Sequence, residues 1–142
     1  MIVALDLGGT LIADQFDPRP RPHLFDFLTV LRWRSKRIVI MTTVPEEKFR
    51  EIAWRLVDQG AAPGWFAQLE YVPWKQPHKD LLQIPGVKDK SEALLIHGHE
   101  GYIHPEQHDR CFKIETFFDQ DGTDQELARL IALILFGKRN ED

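Results

Sequence analysis

The sequence predicts one α/β domain, a central parallel sheet sandwiched between helices, and three observations predict it. Short unbroken apolar runs at Ile2–Leu5, Ile38–Ile40 and Ala93–Ile96 have the composition of strands buried on both faces. Amphipathic helical patterns alternate with those runs, and strand–helix alternation with right-handed crossovers builds a three-layer α/β sandwich with helices on both faces. The 142 residues suit a single domain, 1–142, with no internal repeat, linker or low-complexity stretch.

Element by element, Ile2–Leu5 forms the first strand, and Asp6-Leu7-Gly8-Gly9-Thr10 breaks it with two glycines. The proline- and arginine-rich stretch from Asp17 to Pro22 reads as an extended loop. Leu24, Phe27, Leu28 and Leu31 then fall at i, i+3, i+4 and i+7, one face of a helix. Arg37 to Met41 gives the second strand, ended by Thr42 and Thr43. Thr43 and Glu46 have capping-box spacing, with Pro45 in the first turn, ahead of a helix carrying Phe49, Ile52, Ala53, Leu56 and Val57 on one face. Gly60 stops it. A short strand is expected within Phe66 to Val72, followed by a proline-punctuated middle, a strand at Ala93–Ile96 and a shorter one at Cys111 to Ile114. Thr123 and Glu126 form a second capping box for a last helix lined by Leu127, Leu130, Ile131, Ile134 and Leu135 and ended by Gly137.

Composition narrows the function classes. The 43% hydrophobic and 28% charged fractions are those of a globular protein, and a net charge of -4 gives no global reason to expect nucleic-acid binding. The local cluster Arg32, Arg34, Lys36 and Arg37 reads as a solvated helix end. No apolar run approaches bilayer length, and the chain passes from Met1 directly into an apolar strand without a basic leader region. With Cys111 as its one cysteine, the chain is expected in a reducing cytoplasm and away from membranes. The tryptophans Trp33, Trp54, Trp65 and Trp74 read as core or interface anchors, with Trp65 and Trp74 flanking a surface where a protein partner could dock.

Ligands of an open parallel sheet bind at the carboxyl ends of its strands. The residues in those positions are Asp6 to Thr10, Thr42 and Thr43, and His97 to Glu100. An acid, a hydroxyl and imidazoles brought to one crevice make a plausible reactive site.

Asp6-Leu7-Gly8-Gly9-Thr10-Leu11 resembles the first motif of the haloacid dehalogenase (HAD) superfamily, Asp-x-Asp-Gly-Thr-Leu after an apolar strand. Thr42 resembles the second motif and Lys79 of Lys79-Asp80-Leu81 the third. Arg21-Pro22 with Phe27-Leu28, Lys79-Asp80-Leu81, and Phe117-Phe118-Asp119 followed by Asp124-Gln125-Glu126-Leu127 resemble the NLI-interacting-factor-like group, which includes phosphatases of the RNA polymerase carboxy-terminal domain. The spacing leaves no room for a large cap domain. The resemblance implies Asp6 as a nucleophile that forms an aspartyl-phosphate, with Thr42 and Lys79 holding phosphate oxygens. It also implies a metal held by Asp6, by the Gly8 carbonyl and by the residue after the later strand, His97.

The chain departs from that pattern at two acids. The second aspartate, which would protonate the leaving oxygen and activate water, is Gly8, and the later Asp-Asp is His97-Gly98. Loss of acid–base help alone lowers rates by about 10²–10⁴-fold. Imidazole is a poor ligand for Mg²⁺ and a better one for a transition metal, so Mg²⁺ is disfavoured and a transition-metal site at Asp6, Gly8 and His97 is the sharper alternative. His78, His99, His104 and His108 lie in the same region of sequence, where the plainer reading is a solvated loop. The expectation is a phosphatase-like domain with a degraded site that binds a phosphate-bearing ligand or a protein partner. The alternative is an active phosphomonoester hydrolase with altered metal dependence. Lys75 competes with Lys79 as the motif lysine.

Overall fold

The computed structural model describes residues 1–74, 77–98, 102–118 and 122–137. Five strands form one sheet: β1 (Ile2–Leu5), β2 (Arg37–Ile40), β3 (Glu70–Tyr71), β4 (Ala93–His97) and β5 (Cys111–Lys113), in the order β3-β2-β1-β4-β5. Every pairing is parallel, with Leu5 opposite Ile40 on one side and Ile96 on the other. The central strands are apolar along their length because both faces are covered.

Chain direction decides what covers each face. From β1 through β2 to β3 the chain steps outward, and the right-handed rule places α1 (Leu24–Arg34) and α2 (Glu46–Asp58) on one face. Their buried residues Phe27, Leu28, Phe49 and Ile52 pack with Val3, Leu5, Ile38, Ile40 and Ile96. The last helix, α3 (Glu126–Phe136), joins the same layer through Leu127 and Leu130. The chain then crosses back over β1, so the β3–β4 and β4–β5 connections cover the opposite face. There Leu81, Ile84, Val87 and Ile103 pack on Ile2, Ala4, Val39, Met41 and Leu95. This third layer is built of 3-10 turns, Leu81–Gln83, Lys90–Glu92 and Pro105–Arg110, rather than long helices.

Two expected helix caps are not formed. The α2 cap position is Pro45, without a side-chain cap bond, and the Glu46 carboxylate instead meets Arg50 at 3.1 Å. The α3 cap position is Gln125, also without one, while Glu126 accepts from the Glu115 amide and from Arg129. A genuine capping box lies in the proline-punctuated middle. Asp80 accepts from the Leu82 amide, and Gln83 reaches back to the Asp80 amide.

No helix among the described residues is long and apolar enough to cross a membrane. The basic cluster is engaged locally: Arg32 lies over Trp65, Arg34 over Trp33, and Arg37 pairs with Glu70.

Candidate functional site

The direction of the crossovers reverses between β1 and β4, and a crevice at the strand carboxyl ends is expected at such a switch point. Asp6 and His97 lie there. Asp6 follows β1, its amide donates to the Ile96 carbonyl at 3.1 Å, and strand alternation places both side chains on the face covered by the 3-10 turns. Thr42 lies just beyond β2, the neighbour of β1 on its other side. All three are buried, His97 to 1% exposure.

Lys79 arrives from the β3–β4 connection. Its ammonium is 3.2 Å from Oδ2 of Asp6, with both side chains nearly shut off from solvent, 4% and 10% exposed. The other carboxylate oxygen, Oδ1, accepts from the Leu7 amide at 2.7 Å. A buried carboxylate needs such partners, since its desolvation otherwise costs several kcal/mol. The backbone around Lys79 is pinned by a parallel bridge to Ile103, through Lys79 N to Tyr102 O and His104 N to Lys79 O. Gln107, buried and missed by the sequence reading, holds the next two residues. Its Oε1 accepts from the Leu81 amide, and its Nε2 donates to Asp80.

Trp74 links the remaining parts. Its Nε1 donates to the Thr42 carbonyl at 2.9 Å, and its ring lies 5.9 Å from the Lys79 ammonium and 5.3 Å from the Tyr102 ring. The Thr42 hydroxyl accepts from the Val44 amide at 3.3 Å. A polar cavity of about 210 Å³ opens beside it, lined by Thr42, Thr43, Tyr71, Pro73 and Trp74. Burial, and then the Glu46 charge, raise the Tyr71 phenol above its usual pKa, so the neutral phenol is kept as donor to the Val44 carbonyl.

The loop after β1 is locked to the segments after β4 and β5. Thr10 Oγ1 accepts from the Gly98 amide at 2.8 Å, and the Phe117 amide donates to Gly9 O at 2.9 Å. A Cβ at Gly98 would lie 2.4 Å from Gly9 O, so only glycine fits there. Gly9 adopts a φ of +76°. Gly8 differs from both: it is not at positive φ, and its nearest contact for an added Cβ is an ordinary 3.8 Å to Asp14 Cα. Nothing in the backbone requires glycine at position 8.

Arg21 braces this loop from behind. Its fully buried guanidinium forms a bidentate pair with Asp124 at 2.8 and 2.9 Å and donates to the carbonyls of Thr10 and Glu115. The Arg-Pro stretch and the acidic closing stretch, far apart in sequence, thus form one structure.

Among the described residues the histidines do not gather into one cluster. His78 and His104 pair edge-on at 5.7 Å on the Lys79 bridge, His108 is exposed on a 3-10 turn, and His97 lies under the end of β4. His99, Asp119 and Lys75 lie outside the described residues. Among the described residues no group of three or more His, Cys, Asp and Glu side chains could hold a metal ion. Among the described residues the donor set at the strand ends does not fit Mg²⁺: it offers the Asp6 carboxylate, already faced by an ammonium, and an imidazole where a hard cation needs oxygen.

No protein-family model matches the chain, and a search of curated proteins gives no match.

Proposed function

We propose that the chain is a HAD-like domain whose strand-end site binds a phosphate-bearing ligand and turns over phosphomonoesters with Mg²⁺ little or not at all. The observation that carries this reading is the buried Lys79–Asp6 pair at the switch point. Lys79 is placed to offset phosphate charge, and the Thr42 hydroxyl and neighbouring loop amides are the groups to orient phosphate oxygens. Asp6 occupies the nucleophile position of the resembled motif, whereas Gly8 has no group to carry a proton.

A generic phosphomonoester assayed with Mg²⁺, Mn²⁺, Zn²⁺ and Ni²⁺ tests the reading. Little or no Mg²⁺-dependent turnover is expected from the wild type. Gly8→Asp combined with His97→Asp, which returns both acids, should raise it. Brisk wild-type turnover with Mg²⁺ that disappears in Asp6→Asn would overturn the degraded-site reading.

One observation favours a second reading, a transition-metal hydrolase: His97 stands beside Asp6 in the strand register. Metal analysis after dialysis, comparing wild type with His97→Ala, tests it. Equal metal content in the two would remove it.

A further inference from the structure

We propose that Asp6 is a phosphoryl acceptor for mixed anhydrides of phosphoric and carboxylic acids, and that the resulting aspartyl-phosphate persists. This rests on the phosphate-site reading above and adds to it a donor class and an outcome.

The inference starts from which proton-transferring groups are present. Displacing an alcohol from phosphorus needs a proton delivered to an alkoxide oxygen, which is far too basic to leave unprotonated. In the resembled motif the position that would deliver it is held here by Gly8, although its backbone conformation and the space around it accept a side chain. An acyl phosphate makes no such demand, because its leaving group is a carboxylate, whose conjugate acid has a pKa of about 4. The remaining imidazole beside Asp6, His97, is 1% exposed and closed to bulk water.

The groups needed to accept a phosphoryl group are in place. Leu7 N and Lys79 Nζ each engage one oxygen of the Asp6 carboxylate, and each oxygen has a second lone pair. One oxygen attacks phosphorus, a P–O bond to Asp6 forms, and the P–O bond to the acyl group breaks. The carboxylate leaves with that electron pair, and no proton is transferred. Lys79, 3.2 Å from the carboxylate before reaction, offsets the charge of the arriving phosphoryl oxygens.

The glycine at position 8 also governs the second half-reaction. Hydrolysis of the aspartyl-phosphate needs a base to take a proton from water, and Gly8 supplies none. The site would therefore load from an activated donor and unload slowly, a two-state mark rather than a turnover cycle.

The test incubates the intact chain with acetyl phosphate, with and without Mg²⁺, and reads intact mass. The expected result is a gain of one phosphoryl group that borohydride converts to homoserine at position 6, with no gain from an alkyl phosphomonoester. Gly8→Asp should lose the group about 10²-fold faster or more. Mapping on the wild type keeps the test independent of whether Asp6→Asn folds. No mass gain in a protein that still binds inorganic phosphate overturns the acceptor proposal and leaves the site reading standing. No mass gain and no phosphate binding overturns both. A label elsewhere than Asp6, or equal lifetimes in wild type and Gly8→Asp, also overturns the proposal.

Discussion

The Lys79 ammonium lies 3.2 Å from Oδ2 of Asp6, and the two side chains are 4% and 10% exposed. One comes from the end of the first strand and the other from the connection that crosses back over it. Their meeting therefore depends on the strand order as well as on either residue. Removing one partner leaves a buried uncompensated charge. Lys79→Met should destabilise the fold by about 3–5 kcal/mol, and adding Asp6→Leu should recover a large part of that loss. Denaturant unfolding of the two single variants and the double variant checks both statements.

Arg21 should be as sensitive to a change that keeps its charge. Its fork meets both oxygens of Asp124 and two backbone carbonyls, which a single ammonium cannot reproduce. Arg21→Lys should cost about 2 kcal/mol or more. Hydrogen exchange should show the loop from Gly9 to Thr10 losing protection along with the start of α3.

The three glycines at the strand ends should respond differently to alanine. Gly8→Ala should be neutral or stabilise by up to about 1 kcal/mol, because only the unfolded chain loses freedom. Gly9→Ala should cost about 1–2 kcal/mol for its left-handed backbone. Gly98→Ala should cost about 2–3 kcal/mol, since its Cβ would lie 2.4 Å from a carbonyl oxygen. Thermal unfolding of the three variants gives the ranking.

Glu126 gives a pH dependence of known sign. Its bond from Arg129 is the largest influence on its pKa; burial opposes it, and the Glu115 amide and the charges of Arg129 and Arg21 add to the lowering, which leaves it below the usual 4.5. A lowered carboxylate pKa contributes stability that is present above about pH 4.5 and is lost as pH falls through the folded value. Wild type should therefore lose more stability than Glu126→Gln on acidification through that window. Parallel slopes would show that Glu126 contributes nothing there.

The sequence made the three central strands legible because burial on both faces leaves unbroken apolar runs, and the helix faces legible because Leu24 to Leu31 and Phe49 to Leu56 keep their period. The caps at Thr43 and Thr123 were misread for a physical reason. Capping-box spacing recurs by chance, whereas a cap needs its oxygen aimed at the first free amides, and Pro45 and Gln125 hold those positions. At the site, Asp6, Thr42 and His97 could be placed from strand ends alone. The placement of Lys79 against Asp6 could not, because it depends on a return crossover and on the bridge to Ile103. Gln107 and the Arg21–Asp124 pair carry no periodic signal, since each acts through partners distant in sequence.

The central claim is that the strand-end site at Asp6, Thr42 and Lys79 binds phosphate without Mg²⁺. The most direct measurement is calorimetric titration of the intact chain with inorganic phosphate in the presence of a chelator, repeated on folded Lys79→Met. Saturable binding by the wild type that is lost in the variant is the predicted result. No saturable binding by the wild type, or equal binding by both, would contradict it.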